Sequence, residues 1–315
     1  MIALSHKSKQ YGLIALKVFL LTATFLYIYH KLTDSHSVSL SDFLNSLEGG
    51  NVLLIAVFIL MAMMNWIFEI LKWQSLAGTL TNISFRQAAR QCLSAFTVSM
   101  ITPMRVGEYG AKAIYFERKF QKRVLTLNLF SNLSQLLVTI VFGLPALIYL
   151  AVSLDLPFSN TKLGMGVIGI FIVAILMYIF RKKSLVFKGL SLNRIATFFM
   201  ELPFSVKFKT ILFSFLRYLV FSSLFLVLLN YFGIDISWFK ALPLIYAMYL
   251  LVSLAPTILL LDVVIRGGVA VWLFSLIGVN EWPVLCVVLS MWLLNFVLPA
   301  LWGSYYILTY RLPKS

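Results

Sequence analysis

The chain alternates long apolar runs with short polar stretches. Six runs are long and uniform enough to read as complete membrane spans: 12–30, 52–73, 125–151, 163–180, 210–232 and 283–309. A run of roughly 18 or more apolar residues suffices to cross the hydrocarbon core as a helix. Two further apolar stretches, 87–117 and 238–278, are broken by proline, glycine and charge. The first contains "SMITPMRVGEYGAK", in which Pro103, Arg105, Gly107 and Glu108 interrupt an otherwise membrane-compatible segment.

The loops decide how these pieces are threaded. The segment 181–209 holds Arg181, Lys182, Lys183, Lys188, Arg194, Lys207 and Lys209 against Glu201 alone. The stretches 31–51 and 152–162 and the short loops near 235 and 281 are not basic. Lys and Arg collect on the cytoplasmic side. If 87–117 crossed the membrane, Arg86 and Arg90 would lie on one side and Arg118, Lys119, Lys122 and Arg123 on the other. If it enters and leaves on one side, all six are cytoplasmic. The same treatment of 238–278 from the opposite side brings Arg311 and Lys314 to the cytoplasm. A turn inside the membrane is tolerated where protein or a wet cavity surrounds it. The expected fold is therefore an all-α polytopic membrane protein of about six full transmembrane helices plus two re-entrant helical hairpins. It is a single domain, 1–315, with both termini cytoplasmic. Its halves, about 10–151 and 163–310, form an inverted-topology repeat. Paired broken segments in opposed halves point to a transporter's substrate site.

Composition agrees: 61% of the 315 residues are hydrophobic, against about 45–50% in soluble domains. The formal charge of +15 is explained by basic cytoplasmic loops, and nucleic-acid binding is excluded for want of a soluble basic domain. Cys92 and Cys286 lie in apolar stretches and give no disulfide framework. His6, His30 and His36 form no ligand pair, so no metal site is expected. The first apolar run has no small-residue cleavage site and reads as a retained helix. No P-loop motif is present, so transport would be downhill, gradient-driven or partner-dependent.

Charge at depth marks the candidate site. Glu69, Arg105, Glu108, Lys112, Arg217, Asp262 and Arg266 stand in or beside apolar segments, where an ionisable group costs about 2.5–3.5 kcal/mol. Arg105 and Arg266 would present guanidinium forks to an anionic group such as a lipid phosphate, with Glu108 and Asp262 balancing them in the empty site. Alternatively Arg105–Glu108 and Asp262–Arg266 are local ion pairs at i, i+3 and i, i+4 that lock the hairpins. Asn65, Glu69 and Lys72 share one helical face and are candidates to line the cavity. Lys17 and Arg217 are expected to snorkel from the ends of their spans. Asn132 and Gln135 are expected to hydrogen-bond between helices.

The segments "LKWQSLAG", "TPMRVGEYGAKA" and "IRGGVAVWLF" together resemble the lysylphosphatidylglycerol synthase transmembrane region family, over about residues 10–310. The Pro-x-Arg-x-Gly-Glu element falls on Pro103, Arg105, Gly107 and Glu108. In the second element Gly267 and Gly268 match, Ala270 replaces a glycine, and Leu273 stands where the family carries a glutamate. The resemblance implies a flippase-like domain of a bacterial inner membrane, here without the fused synthase domain. It implies handling of an anionic or aminoacylated polar lipid in a cavity between the two hairpins, with membrane phospholipid as partner. It implies no cofactor and no catalytic residue. A lipid-synthesising enzyme partner and a homo-oligomer stay open. The competing readings are a non-transporting accessory or scaffold protein of envelope lipid synthesis, and an intramembrane lipid-modifying enzyme with Glu108 as its acid.

Overall fold

The computed structural model describes residues 52–100, 102, 105–154, 192–254 and 262–310. The expected spans at 12–30 and 163–180, and Pro103, lie outside the described residues. Among the described residues the structure is helical throughout: α1 Val52–Ala77, α2 Phe85–Met100, α3 Gly107–Ala113, α4 Arg118–Ser153, α5 Leu192–Glu201, α6 Phe204–Tyr231, α7 Trp238–Leu254, α8 Asp262–Ser275 and α9 Glu281–Trp292. A π-helical turn, Leu293–Val297, joins α9 to α10, Leu298–Thr309.

Helices α1, α4, α6 and the continuous run Glu281–Thr309 have 26, 36, 28 and 29 residues. Each is long and apolar enough to cross a membrane, whose hydrocarbon core is about 30 Å thick, at 1.5 Å rise per residue. Helix α4 begins at Arg118 rather than at 125 because its first turns are basic and extend beyond the apolar run. By contrast α2 and α7 have 16 and 17 residues, or about 24 Å each. Each of the two stretches thus holds two shorter helices, α2 and α3 in the first and α7 and α8 in the second.

The first pair doubles back. The Gly107 amide donates to Thr102 Oγ1 at 2.9 Å near the tip. Ser94 Oγ and Tyr115 OH lie 2.9 Å apart nearer the base. Ala88, Ala89 and Cys92 share an apolar cluster with Ala113 and Phe116. The start of α2 and the start of α4 therefore lie at one end of the molecule. Helix α6 runs antiparallel to α1: Phe58 meets Tyr231 with ring centroids 5.3 Å apart, and Phe68 stacks on Phe213. Tyr310, past the end of α10, reaches the Ile114 carbonyl at 3.3 Å, so the last span finishes at the same end where α2 starts. The second pair, α7 and α8, is joined by short turns to the opposite ends of α6 and α9.

The helix contacts are reciprocal. Helix α1 packs on α6, α4 on α7, and α10 on α2. Two glycines make the last two possible. A Cβ at Gly143 on α4 would sit 2.6 Å from Leu250 Cβ and 2.9 Å from the Tyr246 carbonyl on α7. A Cβ at Gly303 on α10 would run into Thr97 and the Leu93 carbonyl on α2. Close backbone approach through small residues is how helices associate where lipid removes the hydrophobic drive. Large apolar side chains remain outside, among them Leu60 on α1, Leu137, Val141 and Ile148 on α4, and Leu301 and Leu308 on α10. That surface suits lipid contact.

Candidate functional site

Where these elements meet, they leave a cavity of about 320 Å³. Its wall takes residues from both helix series: Asn65 and Trp66 of α1, Phe96 and Ser99 of α2, Arg105 beyond the break, Gln135 and Thr139 of α4, Arg217 and Tyr218 of α6, Tyr249 of α7, Arg266 of α8, and Trp292, Asn295 and Phe296 of the last span. Arg105 and Arg266, singled out in the sequence, line this one cavity, and Arg217 joins them.

Each guanidinium lies over an aromatic ring. Arg105 Cζ stands 5.3 Å from the Phe96 centroid, Arg266 5.5 Å from Phe296, and Arg217 5.9 Å from Trp66. The rings touch in turn, with Trp66 and Phe96 centroids 4.8 Å apart and Phe96 and Phe296 5.7 Å apart. Cation–π contact stabilises such groups where water is scarce. The three arginines therefore form a row held by a continuous aromatic ridge.

A polar network anchors one end of this row. Arg217 donates from Nε to Asn65 Oδ1 at 3.0 Å and from a terminal nitrogen to Glu69 Oε2. Lys72 Nζ holds the same carboxylate oxygen at 2.7 Å. Asn65 in turn donates to Asn295 Oδ1 at 2.8 Å. The π-helical turn has a use here. It re-spaces the backbone at 293–297, and the Asn295 carbonyl accepts from Trp66 Nε1 at 3.2 Å. Such turns concentrate at functional positions.

A second ionic group is sealed off beside α3. Lys112, 1% exposed, donates to Glu108 Oε1 at 2.8 Å and Asn128 Oδ1 at 2.7 Å. Its ammonium lies 4.4 Å from the Trp73 ring centroid, and Trp73 donates to Gln91. Two sequence expectations change accordingly. Arg105 and Glu108 do not form the i, i+3 ion pair: Glu108 pairs with Lys112 one helical turn onward, because α3 starts only at Gly107 and Arg105 precedes it. Among the described residues Arg105 forms no salt bridge. Arg217 does not snorkel. It lies 13 residues into α6, about 20 Å along the axis, and binds Glu69 instead.

The remaining candidates fall as follows. A Cβ at Gly107 would meet Thr102 Oγ1 at 2.7 Å and Val98 Cγ1 at 3.0 Å, so this glycine lets the hairpin close. Asp262 is the first residue of α8. Gly267 packs near Leu285, and Gly268 faces open space. Leu273 is buried in the large apolar core. Asn132 donates to Tyr109 OH at 3.1 Å, and Gln135 lines the cavity. Asn295, Phe296, Phe96 and Tyr218 also line the cavity and were not among the sequence candidates. Only Asn295 carried a signal, as the lone amide in an apolar span.

No curated protein and no solved structure matches the chain. The model of the lysylphosphatidylglycerol synthase TM region matches residues 13–303. That match covers most of the chain, and the protein belongs to the lysylphosphatidylglycerol synthase transmembrane region family.

Proposed function

We propose that this multi-pass membrane protein is a flippase-like lipid translocase of the bacterial inner membrane, which handles a polar lipid with an anionic or aminoacylated headgroup. The observation that carries the reading is the convergence of Arg105, Arg217 and Arg266 on one aromatic-walled cavity. Guanidinium forks are the side chains best suited to phosphate oxygens, and intramembrane charge marks substrate paths. The volume suits a headgroup, with the acyl chains left in the bilayer.

In this reading α2–α3 and α7–α8 are re-entrant hairpins entering from opposite faces, and the halves form an inverted repeat. The reciprocal packing of α4 on α7 and α10 on α2 supports it. The end bearing Arg86, Arg90, Arg118 and Lys119 is cytoplasmic, as the positive-inside bias requires. Arg105 and Arg266 then present the headgroup from the two hairpins in turn.

The test is transfer of a fluorescent-headgroup phospholipid between leaflets of liposomes holding the purified protein, read by quenching from outside. Protein-dependent exposure of inner-leaflet label, reduced at least about tenfold by Arg105→Lys because the planar fork is lost, is the expected result. No exchange above empty liposomes for any polar lipid would leave the accessory-protein reading in its place.

A further inference from the structure

The charge balance around the cavity narrows the headgroup class; the step rests on the reading that the cavity receives a lipid headgroup. Among the described residues no carboxylate lines the cavity. Two buried acids, Glu69 and Glu108, are already engaged: Glu69 by Lys72 and Arg217, and Glu108 by Lys112. Glu69 against Lys72 and Arg217 leaves one positive charge over, and Arg105 adds a second. Those two are counted without Arg266, whatever its neighbours contribute.

Such a site repels an ammonium. An aminoacylated headgroup needs a carboxylate or an open aromatic face. The faces of Trp66, Phe96 and Phe296 already carry guanidiniums. Tyr218, Phe221 and Tyr249 pack on one another, with Tyr218 and Phe221 each centred within 6.0 Å of Tyr249. A like charge beside the arginines would be disfavoured at low dielectric.

A phosphodiester headgroup carries one negative charge and would leave the second positive charge unmet. A phosphomonoester carries about −1.5 to −2 near neutral pH and three strong acceptor oxygens. Tyr218 adds a donor: its buried hydroxyl has no hydrogen-bond partner among the described residues, and it stands in the cavity wall. We infer that the cavity selects lipids ending in a phosphomonoester or diphosphate, with two or more negative charges, over phosphodiester and aminoacylated lipids.

The experiment uses the full chain in nanodiscs of zwitterionic phosphatidylcholine, doped in turn with phosphatidic acid, phosphatidylmethanol, phosphatidylglycerol or lysylphosphatidylglycerol. Lipid retained through delipidating washes is counted by native mass spectrometry. Phosphatidylmethanol is the decisive comparison, because it keeps the phosphorus and the chains and loses one charge. Phosphatidic acid should be retained about tenfold better than each of the others, and Arg105→Gln should cut that preference to about threefold or less. Inorganic phosphate or pyrophosphate at millimolar concentration should not displace it; displacement would assign the site to a free phosphate and overturn the lipid assignment. Equal retention of phosphatidylmethanol, phosphatidylglycerol or lysylphosphatidylglycerol overturns the selectivity and leaves the lipid-handling reading standing. Retention of none overturns both. The comparison of lipids uses the unaltered protein, so a misfolded variant cannot obscure the outcome.

Discussion

Arg105 carries a backbone burden as well as a charge. Its φ is 56°, the left-handed region that favours glycine, which costs a side-chain-bearing residue roughly 1–2 kcal/mol. A residue retained for backbone reasons at that position would be glycine. Arginine there implies that the guanidinium over Phe96 is the useful part. Arg105→Gly should therefore leave the thermal midpoint in detergent unchanged or raise it by an amount equivalent to about 1 kcal/mol, while lipid transfer falls. A clear drop in the midpoint would mean that Arg105 holds the turn together and that its place in the cavity is incidental. The sequence exposed this arginine because a charge in an apolar stretch is costly and seldom idle. It could not show the partner of Glu108. Spacing admits both Arg105 at i−3 and Lys112 at i+4, and only the start of α3 at Gly107, which leaves Arg105 outside the helix, decides for Lys112.

At the scale of elements, hydrophobic run length located the long helices of the described region, since any span must cover the same thickness. It also marked the stretches that hold the shorter helices α2, α3, α7 and α8. The π-helical turn at 293–297 was hidden, because its cause is tertiary: Asn295 must meet Asn65 and Trp66, which lie 230 and 229 positions away in the chain. The close approach at Gly303 was hidden for the same reason. It now supports a contrast between two glycines. Gly303→Val puts Cβ against the Leu93 carbonyl, which cannot move without bending α2. It should destabilise by about 3 kcal/mol or more, at or beyond the usual overpacking range. Gly268→Ala meets nothing within 4 Å inside α8 and should gain about 0.8–1.0 kcal/mol of helix propensity. Unfolding midpoints of both variants in one detergent decide the matter, and similar midpoints would mean that α10 does not pack on α2 at this distance.

At the scale of the whole molecule, the threading makes a demand that no local feature can mimic. Residues separated by a complete stretch of apolar chain must label from the same side of the membrane if α2–α3 is re-entrant, and from opposite sides if it is a crossing. Arg86 and Lys119 flank that pair, and both are exposed. Asp235 and Glu281 flank α7–α8 and are exposed too. The background is convenient, because Cys92 and Cys286 are both buried and their replacement by Ala removes little polar interaction. Single cysteines at the four flanking positions should then divide two and two under a membrane-impermeant maleimide. Arg86→Cys and Lys119→Cys should label only from the cytoplasmic side, and Asp235→Cys and Glu281→Cys only from the other. Opposite labelling of 86 and 119 would make 87–117 a crossing. It would also place four cationic residues, Arg118, Lys119, Lys122 and Arg123, on the side that the positive-inside bias disfavours. The two hairpins would then no longer approach the cavity from opposed faces, and an alternating route for a headgroup past Arg105 and Arg266 would lose its geometric basis.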